Sequence, residues 1–389
     1  MMKKVLILGG GFAGLESAIE LQKKNIFDIT LVSDRDYLYL YPISIWIPVH
    51  KKEFDDVKVS IADIQKKYPF KLIKDKVTEI RASENRVICE NNTLEYDYLI
   101  VAFGADKMQH KGIGNTLSIC AKPEMALEIR DRLDLLVEKK GGKIALGFGG
   151  NPNDKSALRG GPAFELMFNI HNYLKDRKIR NNYELTFFAP MDEPGARMGK
   201  GAFPMLTKMF TDYSIKMHFG KKIKEFAADG IIFEDDSKLD SDFTMFIAAG
   251  TGPEVLKRSD LPLSAAGFIK VDDNCLVPGF INVFAAGDIA AIEGAEWIAK
   301  QGHVAEQMGR NVAFNIIETE KGSAKRKGYQ EHLSILCVMD TGNGAAFVYR
   351  GQKRSFIIPM PYAGHWMKKG WGIYSRLTKT GKIPRIPWL

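Results

Sequence analysis

Three glycines near the N-terminus have the spacing that binds a phosphate group. Gly9, Gly11 and Gly14 follow the apolar run Lys3–Leu8, and a helical stretch over residues 13–24 comes after them. In this pattern the first glycine makes a tight turn, the second lets the backbone approach a pyrophosphate, and the third lets the helix pack on the strand. The free N–H groups at the start of the helix favour negative charge. The pattern therefore predicts a dinucleotide site.

The ribose of such a nucleotide usually contacts an acidic residue at the end of the second strand. Here the second apolar run covers residues 28–32 and is followed by Ser33 and Asp34. Either of these two side chains is a candidate for the ribose contact.

Four cysteines are the candidate nucleophiles of the chain: Cys89, Cys120, Cys275 and Cys337. They are widely spaced and form no C-x-x-C pair, so the spacing indicates neither a zinc site nor a secreted disulfide framework, and we expect no metal. A thiolate is a strong nucleophile, whereas a buried free cysteine behaves as a small hydrophobic residue. Spacing alone leaves both roles open.

Alternating apolar runs and helical stretches must position these groups. After the first β-α-β unit, apolar runs that end in small residues recur at 96–104, 143–149, 184–189, 243–250 and 281–287. Such runs indicate strands of parallel sheets that are buried on both faces. Residues 317–330 look like an exposed connector. The sequence thus predicts an α/β fold.

Two of these runs resemble the "ATG" and "GD" segments of flavoproteins that contain two dinucleotide domains. They are residues 98–104 (YLIVAFG) and 282–288 (NVFAAGD). The resemblance implies that the cofactor is FAD, that Gly104 and Gly287 lie in its binding segments, and that Asp288 binds its ribityl chain.

The same resemblance implies a domain organisation with two Rossmann-like dinucleotide-binding domains. An FAD-binding domain, residues 1–107 and 250–316, is interrupted by a second Rossmann-like domain, residues 108–249. A C-terminal segment, residues 317–389, follows and is expected to associate with a membrane and a quinone.

Further segments are similar to the sulfide:quinone oxidoreductases and to the flavoprotein subunits of flavocytochrome c sulfide dehydrogenase. They cover residues 37–49, 117–120, 161–165, 300–303 and 334–348. The resemblance implies that Pro42 lies near the flavin ring, Lys300 near its pyrimidine edge and Cys337 on the sulfide side. A cation there stabilises an anionic reduced flavin, and a thiolate is the nucleophile that handles sulfur. A solvated Lys300 and a packed Cys337 are the alternatives.

This resemblance implies an oxidoreductase that passes electrons from sulfide, or a related sulfur compound, through FAD to a quinone. The chain departs from the family at one place, because Arg159 stands where the second catalytic cysteine is expected. Cys120 matches a third, less central cysteine and is at most a mobile partner. Arg159 is either an anion-attracting or a surface residue, and we expect that a nearby cation such as Arg159 lowers the pKa of Cys337.

The net charge of +8 is concentrated at the end of the chain. Residues 341–389 contain nine Lys and Arg residues and no Asp or Glu, so the body is nearly neutral and no nucleic-acid partner is indicated. The same tail carries three tryptophans and three residues at helical spacing: Trp366, Trp371, Trp388, Ile373, Tyr374 and Leu377. Aromatic and basic residues favour an anionic membrane surface. A tail packed on its own flavin domain is the alternative.

The N-terminus has no signal-peptide pattern, and no apolar run reaches the ~18 to 20 residues that cross a bilayer. We therefore expect a cytoplasmic protein that contacts the membrane peripherally. A homo-oligomer is left open.

Two other functions compete with the sulfide interpretation. A type II NADH:quinone dehydrogenase has the same architecture, but it needs a second phosphate-binding turn. The candidate turn at residues 147–152 (GFGGNP) lacks the third glycine, so we expect no nicotinamide nucleotide there. A flavoprotein that has lost turnover is the other alternative, since one thiol is missing.

Overall fold

The computed structural model describes residues 2–361 and 363–386 of the chain. The helices are α1 (Phe12–Gln22), α2 (Tyr41–Ser44), α3 (Ile61–Gln65), α4 (Met125–Glu138), α5 (Gly161–Asp176), α6 (Ala202–Asp212), α7 (Gly302–Glu320) and α8 (Ala363–Lys379). The strands are β1 (Lys3–Leu8), β2 (Phe27–Ser33), β3 (Tyr37–Tyr39), β4 (Lys58–Ser60), β5 (Lys71–Lys74), β6 (Val77–Arg81), β7 (Arg86–Cys89), β8 (Thr93–Glu95), β9 (Tyr98–Val101), β10 (Asp106–Lys107), β11 (Gly142–Phe148), β12 (Tyr183–Ala189), β13 (Ile215–Phe219), β14 (Ile223–Ala227), β15 (Gly230–Phe233), β16 (Lys238–Asp240), β17 (Phe243–Ile247), β18 (Gly250–Thr251), β19 (Ile269–Lys270), β20 (Val283–Ala285), β21 (Ala290–Ala291), β22 (Ile335–Asp340), β23 (Ala345–Arg350) and β24 (Ser355–Met360).

The first parallel sheet carries the predicted glycine turn. Its strand order is β20-β9-β1-β2-β5, and every neighbouring pair is parallel. The apolar half of β1 is buried because β1 lies between β9 and β2 and is also in contact with α1 and β8. Small residues let α1 approach α7 closely: a Cβ at Gly309 would lie 2.3 Å from the carbonyl oxygen of Ala13. The C-terminal ends of these parallel strands and the N-terminus of α1 lie at the same edge of the sheet.

The second parallel sheet has the order β13-β12-β11-β17. Helix α5 packs beside it and is buried from Ala163 to Leu174. The ring of Phe164 on this helix stacks on Phe187 of β12, with centroids 4.6 Å apart and planes 11° apart. These two sheets confirm the predicted α/β class with two Rossmann-like units, while the predicted domain boundaries stay a prediction.

A third, antiparallel sheet of β22, β23 and β24 follows α7. The predicted exposed connector is wrong at both of its ends: Tyr329 is buried, and at the start α7 continues to Glu320 with Ile317 buried. An apolar residue at this position extends the buried face of the helix.

The basic tail forms α8 and packs on the rest of the chain. Two glycines make the close approach: a Cβ at Gly364 would lie 2.4 Å from the Cβ of Ala345, and one at Gly372 would lie 2.9 Å from Cδ1 of Ile43. Helical spacing in this segment is confirmed, and the helix packs on residues of the predicted FAD-binding domain, as the alternative to a membrane-facing tail required. Trp388 lies outside the described residues.

None of the helices in residues 2–361 and 363–386 combines the length and the apolar character needed to span a bilayer.

Candidate active site

A cavity of about 2940 Å³ brings the predicted site residues together. Its lining includes Gly9, Gly11, Ser33, Asp34, Pro42, Gly104, Cys120, Arg159, Gly287, Asp288, Lys300 and Cys337. Gly14 lies behind the turn instead, where a Cβ would come 2.0 Å from the carbonyl oxygen of Gly9. Its predicted role in packing helix on strand agrees with that place. The individual contacts of these residues with a cofactor stay predictions.

The first glycine turn fits the pyrophosphate of FAD. Gly9 has a φ of +113°, and a Cβ there would lie 2.5 Å from Cα of Phe103. At Gly11 the nearest atom to a Cβ is 3.9 Å away, so this glycine faces open cavity. Among the described residues no side chain caps the N-terminus of α1. Its first N–H groups are therefore available to an anion.

The two candidates for the ribose contact differ in exposure. Ser33 is buried, and its Oγ lies 2.7 Å from where a Cβ of Gly10 would be. Asp34 is exposed at the rim, where its carboxylate accepts a 3.0 Å hydrogen bond from Nε of Arg35. Both border the cavity, so both remain candidates.

Arg159 forms an ion pair with Asp288, across the two halves of the site. The guanidinium also donates a 3.4 Å hydrogen bond to the carbonyl oxygen of Lys300. The ammonium of Lys300 donates to the carbonyl oxygen of Ala290 and lies 4.0 Å from the ring centroid of Phe268. Arg159 is therefore a site residue and not a surface arginine.

Burial and charge act differently on the members of this cluster. Burial raises the pKa of Asp288, but Arg159, Lys300 and Lys107 outweigh it and hold that pKa below its usual value. Burial lowers the pKa of Lys300 to about 8 and also lowers that of Lys107. The charge of Asp288 raises the pKa of Arg159, against the opposing effect of burial. Arg159 is thus charged at every working pH.

Cys337 lies in a different charge environment from the one we expected. Burial alone raises the pKa of its thiol to about 12, and the guanidinium of Arg159 pairs with Asp288 instead. The expectation that Arg159 lowers the pKa of Cys337 is wrong, because that guanidinium is paired with Asp288 and burial alone acts on the thiol. The thiol therefore needs a base to lose its proton.

Two residues that we did not predict supply charge beside Cys337. Sγ of Cys337 donates to Oε1 of Glu165 at 3.8 Å, and the other oxygen of Glu165 pairs with the ammonium of Lys368. That ammonium also donates to the carbonyl oxygen of Val338 at 3.3 Å. Burial lowers the pKa of Lys368 to about 7. Glu165 is the base nearest to the thiol.

A signal for Lys368 was present in the sequence. The small residues Gly364, Gly372 and Ser375 and the lysines Lys368 and Lys379 recur on one helical face, and all five are buried. Small residues on one stripe indicate a face that packs closely. The two lysines on that stripe point inwards rather than towards a membrane.

The other cysteines divide into two groups. Cys120 is nearly buried and borders the same cavity as Cys337. Cys89 and Cys275 lie in the hydrophobic core, where burial raises the pKa of both thiols. These two are structural residues.

The second glycine-rich turn does not form an open phosphate cradle. Residues 149–160 separate β11 from α5, whereas only residues 9–11 separate β1 from α1. The ring of Phe148 fills the approach to α5, since a Cβ at Gly160 would lie 2.6 Å from it. The inserted segment folds away, with Nδ2 of Asn151 donating to the carbonyl oxygen of Gly250 at 2.8 Å. A second pyrophosphate has no cradle here.

A cluster of buried charged side chains attaches α8 to α1, the helix that follows the first glycine turn. The ammonium of Lys379 pairs with Glu16 of α1 and lies 2.7 Å from Glu306 of α7. Arg385 adds a 2.6 Å contact to Glu16, and Arg310 one of 3.4 Å. Burial raises the pKa of Glu16, but Lys379 and Arg385 outweigh it. The cluster is rich in cations and holds the helix in place.

Comparisons with known proteins identify the family of this chain. The pyridine nucleotide-disulphide oxidoreductase family matches residues 3–309. Sulfide-quinone reductase of Aquifex aeolicus is 29% identical over 374 residues, which cover 90% of this chain and 84% of that protein. The crystal structure of the Aquifex aeolicus sulfide:quinone oxidoreductase aligns with a TM-score of 0.87 at 26% identity, over 97% of this chain and 92% of the other. Type II NADH:quinone oxidoreductase of Staphylococcus epidermidis is 22% identical, covering 91% of this chain and 93% of that protein.

Proposed function

We propose that this chain, which belongs to the pyridine nucleotide-disulphide oxidoreductase family and is an FAD-dependent oxidoreductase, oxidises sulfide at Cys337 and delivers the electrons to a quinone. One observation carries the sulfide half: the carboxylate of Glu165 faces the thiol of Cys337 at 3.8 Å inside the cavity. The 29% identical relative is named for sulfide and quinone, which supports the same assignment.

Glu165 removes the proton that burial keeps on Cys337. A thiol whose pKa is about 12 is almost entirely protonated at neutral pH, so it is a weak nucleophile unless a base assists. The ammonium of Lys368 pairs with the other oxygen of this carboxylate in a buried place. The pair thus makes a reactive thiolate without a cation directly on the sulfur.

Oxidation of sulfide at Cys337 requires only this one cysteine of the chain. A new S–S bond forms between Sγ and the sulfide sulfur, one S–H bond breaks on each partner, and two electrons and two protons leave. FAD, held at the first glycine turn and beside Asp288 and Lys300, supplies a two-electron acceptor when bound. Arg159 cannot accept the sulfur, so a dissolved thiolate attacks the outer sulfur of the persulfide, breaks the S–S bond and restores Cys337.

Anaerobic rapid mixing with sulfide tests the role of Cys337. Wild-type flavin should bleach, Cys337→Ser should not, and the matched control Cys89→Ser should bleach like wild type because Cys89 lies in the core. Cys120→Ser should only slow the reaction if that thiol is an auxiliary, and Arg159→Cys should raise the rate if a second thiol is limiting. Wild-type flavin that stays oxidised under excess sulfide would refute sulfide as the donor.

The outer face of α8 is our candidate for docking on an anionic membrane, where a quinone is found. Trp366 is 69% exposed and Ile373 is 55% exposed on that face. Lys369, Arg376 and Lys382 are exposed around them. Aromatic and apolar side chains enter the headgroup region, and each basic residue adds about 1 kcal/mol near an anionic surface.

Point variants test docking better than removal of the tail. Truncation after Arg354 would delete β24 and the buried partners of Glu16 and Glu165, so lost binding would have two explanations. The double variant Trp366→Ser/Ile373→Ser should lose sedimentation with vesicles that contain an anionic lipid. The control Met217→Ser removes an apolar side chain that is 42% exposed elsewhere. Unchanged sedimentation of the double variant would contradict docking through α8.

A further inference from the structure

The side chain of Arg159 links the second Rossmann-like unit to the flavin-binding half of the molecule. It precedes α5, and its guanidinium contacts the carboxylate of Asp288, after β20, and the carbonyl oxygen of Lys300. The side chains of Arg159 and Asp288 are each about one quarter exposed, and that exposure faces the cavity. A thiol at position 159 could not make these contacts.

The cluster lies at the end of the cavity that receives the flavin. The turn of Gly9 to Gly11 accepts the pyrophosphate, and the adenosine side of a dinucleotide lies beyond the end of β2, at Ser33 and Asp34. Asp288 follows β20, which lies on the opposite side of β1 from β2 in the same sheet, and Arg159 pairs with this carboxylate. The redox-active ring of FAD must extend towards that side of the cavity, because the adenosine occupies the side of β2.

Arg159 differs from the neighbouring cations in the permanence of its charge. Burial lowers the pKa of Lys300 to about 8, and that of Lys107 is lowered too, so their charges weaken as the pH rises. The guanidinium beside Asp288 has a raised pKa and keeps its charge. The guanidinium also neutralises the carboxylate of Asp288, whose negative charge would otherwise lie uncompensated beside the flavin.

We propose that Arg159 is a positioning residue that raises the reduction potential of bound FAD, by pairing with Asp288 and holding a permanent positive charge at the flavin end of the cavity. Reduction adds negative charge to the flavin, and a fixed cation at short range stabilises the more negative form. In this chain a charge therefore occupies the place of a redox thiol. The inference depends on FAD and not on sulfide.

Equilibrium titration of the holoenzyme against a reference dye of known potential tests the role of Arg159. In Arg159→Gln the ratio of reduced to oxidised FAD, at a fixed potential and pH 7, should fall at least about tenfold, a factor that corresponds to about 1.4 kcal/mol. The matched control Arg258→Gln removes an exposed arginine at the rim of the same cavity and should leave the ratio unchanged.

Arg159→Lys separates charge from shape. It should stay near wild type at pH 7 and approach Arg159→Gln above about pH 8, because a buried ammonium in this cluster loses its proton there whereas a guanidinium does not. Equal ratios in wild type and Arg159→Gln would overturn the proposal, as would equal ratios in the Lys and Gln variants at pH 7. Loss of FAD from both variants would also overturn it, in favour of a role in binding alone. Sulfide is absent throughout, so the result is independent of the proposed donor.

Discussion

The two glycine-rich junctions of the molecule begin alike and end differently. Each follows the first strand of a parallel sheet and leads into a long helix, α1 in one case and α5 in the other. The first junction turns within residues 9–11 and leaves the start of α1 open to the cavity. The second runs through residues 149–160 and has the ring of Phe148 at the start of α5. Only the first can hold a dinucleotide phosphate.

The helices after the two junctions share a second feature. Glu16 follows the N-terminal cap of α1, Gly11, at the same distance as Glu165 follows that of α5, Gly160. Both glutamates are buried, and each pairs with a buried lysine of α8: Lys379 for Glu16 and Lys368 for Glu165. Helix α8 is thus attached to both halves of the molecule by equivalent ion pairs.

The difference between these pairs separates a structural role from a reactive one. Glu16 is surrounded by Lys379, Arg385 and Arg310, so its charge is fully compensated. Glu165 has Lys368, whose pKa burial lowers to about 7, and its other oxygen faces a thiol. A carboxylate that is less strongly compensated is the better proton acceptor. The second junction, closed to nucleotide, thus delivers a base to Cys337.

The largest effect is expected from a substitution in the first junction. Gly11→Val should yield folded protein without FAD, because its side chain enters the cavity and meets no protein atom closer than 3.9 Å at Cβ. Gly150→Val in the second junction has a Cβ neighbour at 3.6 Å and should keep its FAD. Flavin absorbance and circular dichroism measure the two properties. Full flavin in Gly11→Val would mean that the cofactor lies elsewhere.

The next effect concerns stability and the attachment of α8. Lys379→Met leaves Glu16 and Glu306 without the ammonium between them and should cost about 3 to 5 kcal/mol in the free energy of unfolding. Lys369→Met removes an exposed lysine ten residues away on the same helix and should cost little. Urea denaturation measures both. Equal midpoints would show that the cluster around Glu16 is not needed for the fold.

A smaller effect tests Glu165 through pH. The thiol of Cys337 has a pKa of about 12, so its thiolate fraction rises about tenfold for each pH unit between pH 7 and 9. In Glu165→Gln, where no base assists, alkylation of Cys337 by iodoacetamide should rise in the same way, as measured by mass spectrometry. The wild type should react faster than this variant at pH 7 and depend less on pH, because Glu165 takes the proton. Equal rates in the two proteins at pH 7 would contradict Glu165 as the base.

The smallest effect is expected when nicotinamide nucleotides are added, which tests whether the second junction binds a dinucleotide. NADH and NADPH at micromolar concentration should leave the flavin oxidised, since the second junction has no phosphate cradle. Anaerobic rapid mixing with each nucleotide measures flavin bleaching. Fast bleaching would favour the NADH:quinone alternative, the activity for which the Staphylococcus epidermidis relative is named.

The sequence by itself was sufficient for the fold class, the family resemblance and FAD, because these rest on local patterns. A glycine turn between a strand and a helix dictates its own geometry, so β1, α1 and the turn between them form where the residues predict. The comparisons confirm the resemblance to sulfide:quinone oxidoreductases. Cys337 and Lys300 were found by matched segments, and their chemical roles remain predictions.

Only the tertiary structure decided which charges meet. Glu165 and Lys368 are 203 positions apart, and Arg159 and Asp288 are 129 apart, so no spacing rule joins them. The pKa of Cys337 was mispredicted for the same reason: a sequence lists the cations but not the direction of each guanidinium, and an ion pair in a buried site depends on short distances. The small-residue stripe of α8 is present in the sequence, but only the packing of Gly364 and Gly372 against the body of the protein shows that the lysines on it point inwards.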